Sequence, residues 1–329
     1  MNTRMHFFAT AALCLLAGFL PLKAQPINQL EEKNLPVGVF HSVSATDKFE
    51  ITLSKGSCGV TVTTDQQLSP YVQVYVRSKV LYITYDEKSV PKDIRKLYKG
   101  RNAPTPVFRV DVTMPEITGL YLSENVSLSV KDEFESARLD LTLSEKAQLK
   151  NLNLHTQAAT VSLRKNAMAV MNLSVDNTLD ISTEGNAVLK ADVCAKDLVV
   201  AAAGSSQLTL TAQKSGSITF RCAGNSKLLF AGDVEKADLQ AAASADLALS
   251  GSAQTLRLKA EKSADVDANA FQVQRLEADM SGSSKAEVNV TETLDATLVG
   301  GSALYYSGTP VFRIGKIVKS TLAPAGTTK

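Results

Sequence analysis

From residue 37 to residue 307, apolar and polar positions alternate with period two, and almost no stretch carries the period of a helix. Such alternation predicts half-buried β-strands. Small polar corners interrupt it at a near-constant interval. The stretch 200–210, VAAAGSSQLTL, is one unit: an apolar arm, the corner Gly204-Ser205-Ser206, and a second apolar arm. Taking the first residue of each corner as an anchor gives Glu124, Glu145, Lys165, Gly185, Gly204, Gly224, Ala243, Lys262, Gly282 and Gly301, spaced 19 to 21 residues apart. The next residue is Asn or Ser in every unit except at Lys146. The positions four before and four after an anchor are apolar along the series, with Thr297 and Tyr305 filling them in the last unit.

Units this short, each able to bury its apolar face only against its neighbours, predict a solenoid. The expected fold is all-β: a single-stranded parallel β-helix of about ten coils with an irregular β region capping its N-terminal end. At about 4.8 Å per strand the coils make a rod of roughly 48 Å. Glycine suits a corner that needs positive φ. Asn tolerates the same geometry and can stack into an amide ladder, so the Asn/Ser column reads as structural.

The chain divides accordingly. Residues 1–24 read as an export signal, with Arg4 ahead of an apolar run over 7–20 and a cut after Ala24. The run is too short for a comfortable membrane span, and Leu13 before Cys14 does not suit a lipoprotein signal. Residues 25–36 form a polar lead-in arm. Residues 37–115 hold the first strands, with Ser57-Cys58-Gly59 and Arg77-Ser78-Lys79 as tight turns between pairs of them. Solenoid ends need covering, and this region is expected to cap the rod and continue into it. The coils fill 116–306. Residues 307–329 supply a last strand over 311–318 and a tail from Ala323 that looks disordered.

Phe40, FEITL at 49–53, VYVRSKVLYI at 74–83, VDVTMPEITGLYLS at 110–123, the repeated corners and YYSGTP at 305–310 resemble the bacterial putative auto-transporter adhesin family with a head GIN domain. The resemblance covers nearly all of the chain after the leader. The chain departs from it at Ser123-Glu124-Asn125, where relatives often carry a Ser-Gly corner. The resemblance implies an exported parallel β-solenoid and adhesin-like binding. It carries no catalytic residues across.

Composition narrows the function further. A net charge of +2 gives no global argument for nucleic acid. Loss of the leader leaves Cys58, Cys194 and Cys222, enough for one disulfide at most. Cys222, two residues before an anchor, reads as a small core residue. No cofactor is implied, because the glycines follow the coil period and do not cluster into a phosphate loop. His41 and His155 stand apart from each other and from the cysteines.

Three sets of side chains remain as candidates. Residues 87–106 break the strand pattern with Lys88, Lys92, Arg95, Lys96, Lys99 and Arg101 against Glu87 and Asp93, and 91–98 predicts a short helix with Pro91 near its start. This segment is the one projection from the scaffold, and projections commonly carry function. It reads either as a solvated loop or as a contact for an anionic glycan or lipid headgroup through Lys92, Arg95, Lys96, Lys99 and Arg101. Asp238, Arg257 and Glu277 fall on consecutive coils, about 5 Å apart. They read either as a stabilising charge ladder or as the core of a polysaccharide lyase or hydrolase site. Asp265 and Asp267 with Asp246 offer oxygens for a hard cation, without the Gly-rich repeats of calcium-binding solenoids. The favoured expectation is a non-catalytic, adhesin-like protein that binds a glycan or surface protein, in the periplasm, at the outer surface or outside the cell. The alternatives are the polysaccharide enzyme and a structural envelope protein assembling as a homo-oligomer through solenoid ends.

Overall fold

The computed structural model describes residues 29–326, the Lys214 side chain aside. The export leader read over 1–24, with Cys14, lies outside the described residues. Eleven strands and a helix precede the regular coils or begin them: β1 (Leu30–Leu35), β2 (Ser42–Ala45), β3 (Glu50–Lys55), β4 (Gly59–Asp65), β5 (Val72–Arg77), β6 (Val80–Tyr85), α1 (Lys92–Leu97), β7 (Phe108–Met114), β8 (Gly119–Leu122), β9 (Ser127–Val130), β10 (Glu133–Leu143) and β11 (Gln148–Lys165). Then come β12 (Met168–Gly185), β13 (Val188–Ala202), β14 (Gln207–Cys222), β15 (Lys227–Ala241), β16 (Asp246–Ala260), β17 (Asp265–Met280) and β18 (Lys285–Val299). The chain ends in β19 (Ala303–Ser307), β20 (Val311–Val318) and β21 (Thr321–Pro324).

From β10 onward every neighbour pair is parallel, so the fold is the parallel β-solenoid read from the alternation. Leu149, Ala169, Leu189, Leu208, Leu228, Leu247, Val266, Ala286 and Leu304 stack as one inward column, register partner on register partner, and all are buried. Within the thin core, Phe220 meets Phe230 edge to face at 5.1 Å and Phe230 meets Phe271 at 6.3 Å. Half-way round many coils the register slips, as at Val175/Thr178 and Val193/Asp197.

The anchors do what the pattern asks of them. Glu124, Glu145, Lys165, Gly185, Gly204, Gly224, Ala243, Lys262 and Gly282 all have positive φ. Each corner is tied to the next by backbone: the N–H after one anchor donates to the previous anchor's carbonyl, as from Ser205 to Gly185 at 2.7 Å and from Ser263 to Ala243 at 2.9 Å. The amide ladder expected of the Asn column is confined to Asn186 Nδ2 donating to Asn166 Oδ1 at 3.1 Å. Backbone bonds hold the rest, which is why Ser serves as well as Asn. Two positions after the anchor, Ala147, Ala167, Ala187, Ser206, Ser226, Ala245, Ala264, Ser284 and Ser302 are buried inside the corner, a place that Val126 fills after Glu124.

The last anchor is Gly300, not Gly301. Lys285 pairs with Ala303, which sets Ser302 beside Ser284 and Gly300 beside Gly282. Gly300 has φ 77°, and the residues four before and four after it, Ala296 and Leu304, are buried. Thr297 and Tyr305 therefore point outward. Two further corners flank the series, with positive φ at Asp47 and Lys319. Asn125 N donates to Asp47 O at 2.8 Å, so β2 and β3 form a true first coil beneath β8 and β9.

Between that first coil and the second, the chain leaves to build the end structure. β3 and β4 are not partners across the Ser57–Gly59 turn. β7 lies between them, parallel to β3 and antiparallel to β4. The Ser78-Lys79 turn does close a hairpin, β5 on β6, with φ 51° and 62°. Part of the lead-in arm is ordered, since β1 runs antiparallel to β4. Phe49, Phe108 and Tyr85 close the core here, with ring centroids 5.5 and 4.7 Å apart.

At the other end the tail from Ala323 is not disordered at its start. β21 pairs with β19 and sets Leu322 beside Leu304, extending the inward column by one more residue. Ser302 Oγ lies 3.2 Å from Ser320 Oγ and helps hold that last corner. Among the described residues no helix is long and apolar enough to cross a membrane.

Candidate functional site

The basic segment sits on the N-terminal end structure. Pro91 precedes α1, and Arg95 N donates to Pro91 O at 3.0 Å. The helix is amphipathic. Ile94 and Tyr98 pack against the core, with Val90 fully buried just before them. Lys92, Lys96 and Lys99 are exposed, Arg95 is half-buried, and Arg101 is exposed in the following turn. Positions three and four apart share a helix face, so Lys92, Arg95 and Lys96 form one basic strip, with Lys99 just past the helix end.

Both ends of this segment are pinned. Asp86 N donates to Tyr71 O at 2.9 Å, and Ser89 N and Oγ donate to the Asp86 carboxylate. Those bonds from Ser89 hold Asp86 below the usual carboxylate range. At the far end, Val107 N donates to Asp65 Oδ2 at 2.8 Å and Thr64 Oγ1 to Val107 O at 2.7 Å. Tyr98 is pushed up to about 12, by burial first and then by the neighbouring Asp65 charge. A basic strip on a segment pinned at both ends is a preformed cation array. It can meet sulfate, carboxylate or phosphate groups without first having to order itself.

The second candidate set is also brought together. Asp238 stands opposite Arg257, and Arg257 opposite Glu277. Arg257 Nε donates to Glu277 Oε2 at 3.1 Å, and Gln240 Nε2 donates to Asp238 Oδ1 at 3.3 Å. The column runs on through Asp295 and Arg313, which the misplaced last anchor hid from the sequence reading. A shallow groove of about 450 Å³ lies beside it, between Glu277, Asp279, Asp295 and Arg313. The Arg257 and Glu277 side chains are 70% and 64% exposed, so water competes with any ligand there. Opposite charges on neighbouring strands stabilise each other, and the observed pair does that work.

The three aspartates do not make a cation cage. Asp246 and Asp265 are register partners, but Lys227 lies 3.4 Å from Asp246 on one side and Lys285 is the partner of Asp265 on the other. Among the described residues no group of three His, Cys, Asp or Glu is arranged to hold a metal ion. His155 Nε2 lies 3.0 Å from Asp176 Oδ1, and that hydrogen bond raises its pKa. His41 Nδ1 lies 3.0 Å from Glu116 Oε1. Cys58, Cys194 and Cys222 are free thiols. Cys222 is buried, which pushes its thiol up to about 12, and it fills the core position expected of it.

The long sides offer open grooves. One of about 450 Å³ is lined by Asn153, Asn172, Asp192, Cys194 and Gln213, with Asn172 Nδ2 donating to Asn153 Oδ1 at 2.7 Å. The sequence reading passed over this row because Asn153 and Asn172 lie outside the corner column.

Fold and surface together define an end-capped parallel β-solenoid with a basic helix on its closed end. The chain matches the model of the family described as "Putative auto-transporter adhesin, head GIN domain" over residues 39–229 and 214–310, and it belongs to that family. No curated protein matches it. Among solved structures it is similar to a putative adhesin from Parabacteroides distasonis, 18% identical, covering 91% of this chain and 98% of that one with a TM-score of 0.40. A putative adhesin from Parabacteroides merdae is 16% identical over 90% and 96% of the two chains, TM-score 0.38. A putative lipid binding protein from Parabacteroides distasonis is 15% identical over 90% and 96%, TM-score 0.34.

Proposed function

We propose that the chain is an exported, non-catalytic, adhesin-like protein that binds an anionic glycan, or a surface protein bearing such groups, at the cell envelope or cell surface. The observation that carries this reading is the basic strip Lys92, Arg95 and Lys96 on α1, continued by Lys99 and Arg101, in a segment tied down at Asp86 and at Val107. Family membership supports the adhesin class. The uniform coils support a scaffold role, since α1 is the one α-helix among the described residues. Cations at an open site give salt-dependent attraction and fast encounter.

The test is binding to an array of sulfated, uronate-bearing and neutral glycans, with the variant Lys92→Glu/Lys96→Glu/Lys99→Glu alongside. The expected result is binding to anionic glycans that weakens as salt rises and falls by at least about tenfold in the variant. Equal binding by the two proteins, or a preference for neutral glycans, would sink the proposal.

A further inference from the structure

The two ends of the rod are built differently. At the N-terminal end the core is closed by antiparallel strands and by α1. At the C-terminal end no described element covers it. β20 pairs along β18, and all eight of its residues are exposed. Phe312, Ile314 and Ile317 stand opposite Leu294, Ala296 and Leu298, which are buried. They continue the core columns, yet with no described coil beyond them they are 41%, 46% and 40% exposed. Val311 and Val318 widen the apolar surface, and Tyr306 packs edge-on against Phe312 at 4.9 Å.

The strand and the corner after it are basic, although Asp279 and Asp295 line the groove beside Arg313. No Asp or Glu follows Asp295 in the sequence. Arg313 stands opposite Asp295, but Lys316 stands opposite Thr297, and Lys316 and Lys319 are exposed. Contiguous exposed apolar surface of this kind marks an interaction site. A second copy of this chain is a poor occupant. Joining two C-terminal ends sets Arg313, Lys316 and Lys319 against their own kind. An anionic bilayer answers both features. Apolar side chains enter the interfacial layer, neighbouring cations meet phosphate groups, and tyrosines favour the boundary between apolar and wet.

We propose that β20, with Arg313, Lys316 and Lys319, seats the C-terminal end of the solenoid on an anionic lipid surface. The rod then stands off the membrane and presents α1 on the order of 50 Å away, at about 4.8 Å per coil. This surface is separate from the glycan-binding strip, so either can fail without the other.

The chain contains no Trp, so Phe312→Trp installs a single reporter at the open end, and Tyr75→Trp places one at the closed end. Both go into residues 25–329, which hold every described strand without the apolar leader. Phosphatidylcholine vesicles with and without phosphatidylglycerol are the probe. Emission from the Phe312→Trp protein is expected to shift to the blue and to be quenched by brominated lipid only when phosphatidylglycerol is present. Emission from the Tyr75→Trp protein should stay unchanged. Adding Lys316→Glu and Lys319→Glu should weaken partitioning at least about tenfold, with an unchanged circular dichroism spectrum showing that the fold persists. No shift with anionic vesicles overturns the proposal. So does a blue shift without lipid that grows with protein concentration, which would assign the surface to a second copy.

Discussion

At the corners one backbone torsion sorts the anchors into two kinds. Where the anchor carries a side chain, at Glu124, Glu145, Lys165, Ala243 and Lys262, φ lies between 60° and 63°, near the left-handed helical value. At Gly185, Gly204, Gly224 and Gly282 it opens to between 73° and 79°. A Cβ built on Gly204 would stand 2.8 Å from the Gly185 carbonyl oxygen. Gly204→Ala therefore combines left-handed strain with a backbone clash, and should cost about 2–4 kcal/mol of stability. Ala243→Gly relieves the strain at a site already adapted to a side chain and loses some chain entropy. It should be neutral, or stabilising by up to about 1 kcal/mol. Denaturant midpoints of the two variants check this, and equal effects would contradict it. The residue scale is also where the sequence misled. Gly300 and Gly301 are adjacent glycines, both with positive φ, so composition alone does not choose between them. Burial does, because Ala296 and Leu304 fall four residues either side of Gly300.

At the scale of elements, most of the solenoid was legible because each coil repeats one local instruction, the alternation of arm, corner and arm. The insertion of β7 between β3 and β4 was not legible. The Ser57-Cys58-Gly59 turn looks like a hairpin turn, and only the long-range pairing of Gly59 with Thr113 shows that the partner strand comes from much later in the chain. Asp47 was missed for a related reason, since its next corner, Glu124, comes only after the whole end structure. The basic helix was legible because Pro91 and the run of cations break the strand pattern. What pins the far end of its segment was not, since Asp65 and Thr64 reach Val107 across more than forty residues. The charged column behaves as an element too. Arg257→Ala removes an exposed pair, and such pairs contribute little. It should cost less than about 1 kcal/mol, and neither the variant nor the parent should turn over a panel of acidic polysaccharides. Turnover by the parent that disappears in the variant would restore the enzyme reading, with Asp238, Arg257 and Glu277 as its site.

For the whole molecule, stacked units that touch only their neighbours make stability a local quantity. Coils in the middle have a partner on both sides. The N-terminal coil is covered by β4 to β7 and by α1, whereas β20 and β21 have a neighbour on one side and open core on the other. Opening should therefore begin at the C-terminal end, where each lost pairing exposes the least additional apolar surface. In native-state hydrogen exchange, amides of β20 and β21 should exchange fastest among the strands. Amides of β12 to β16 should be slowest, and those of β2 and β3 closer to the slow group. Equal protection in β20 and β14 would mean that something covers the open end even in dilute solution. The same measurement with anionic vesicles joins stability to function. If that end is the membrane seat, protection should rise in β20 and β21 and stay unchanged around α1. A rise at α1 would instead put the basic strip, and not the open core, against the lipid.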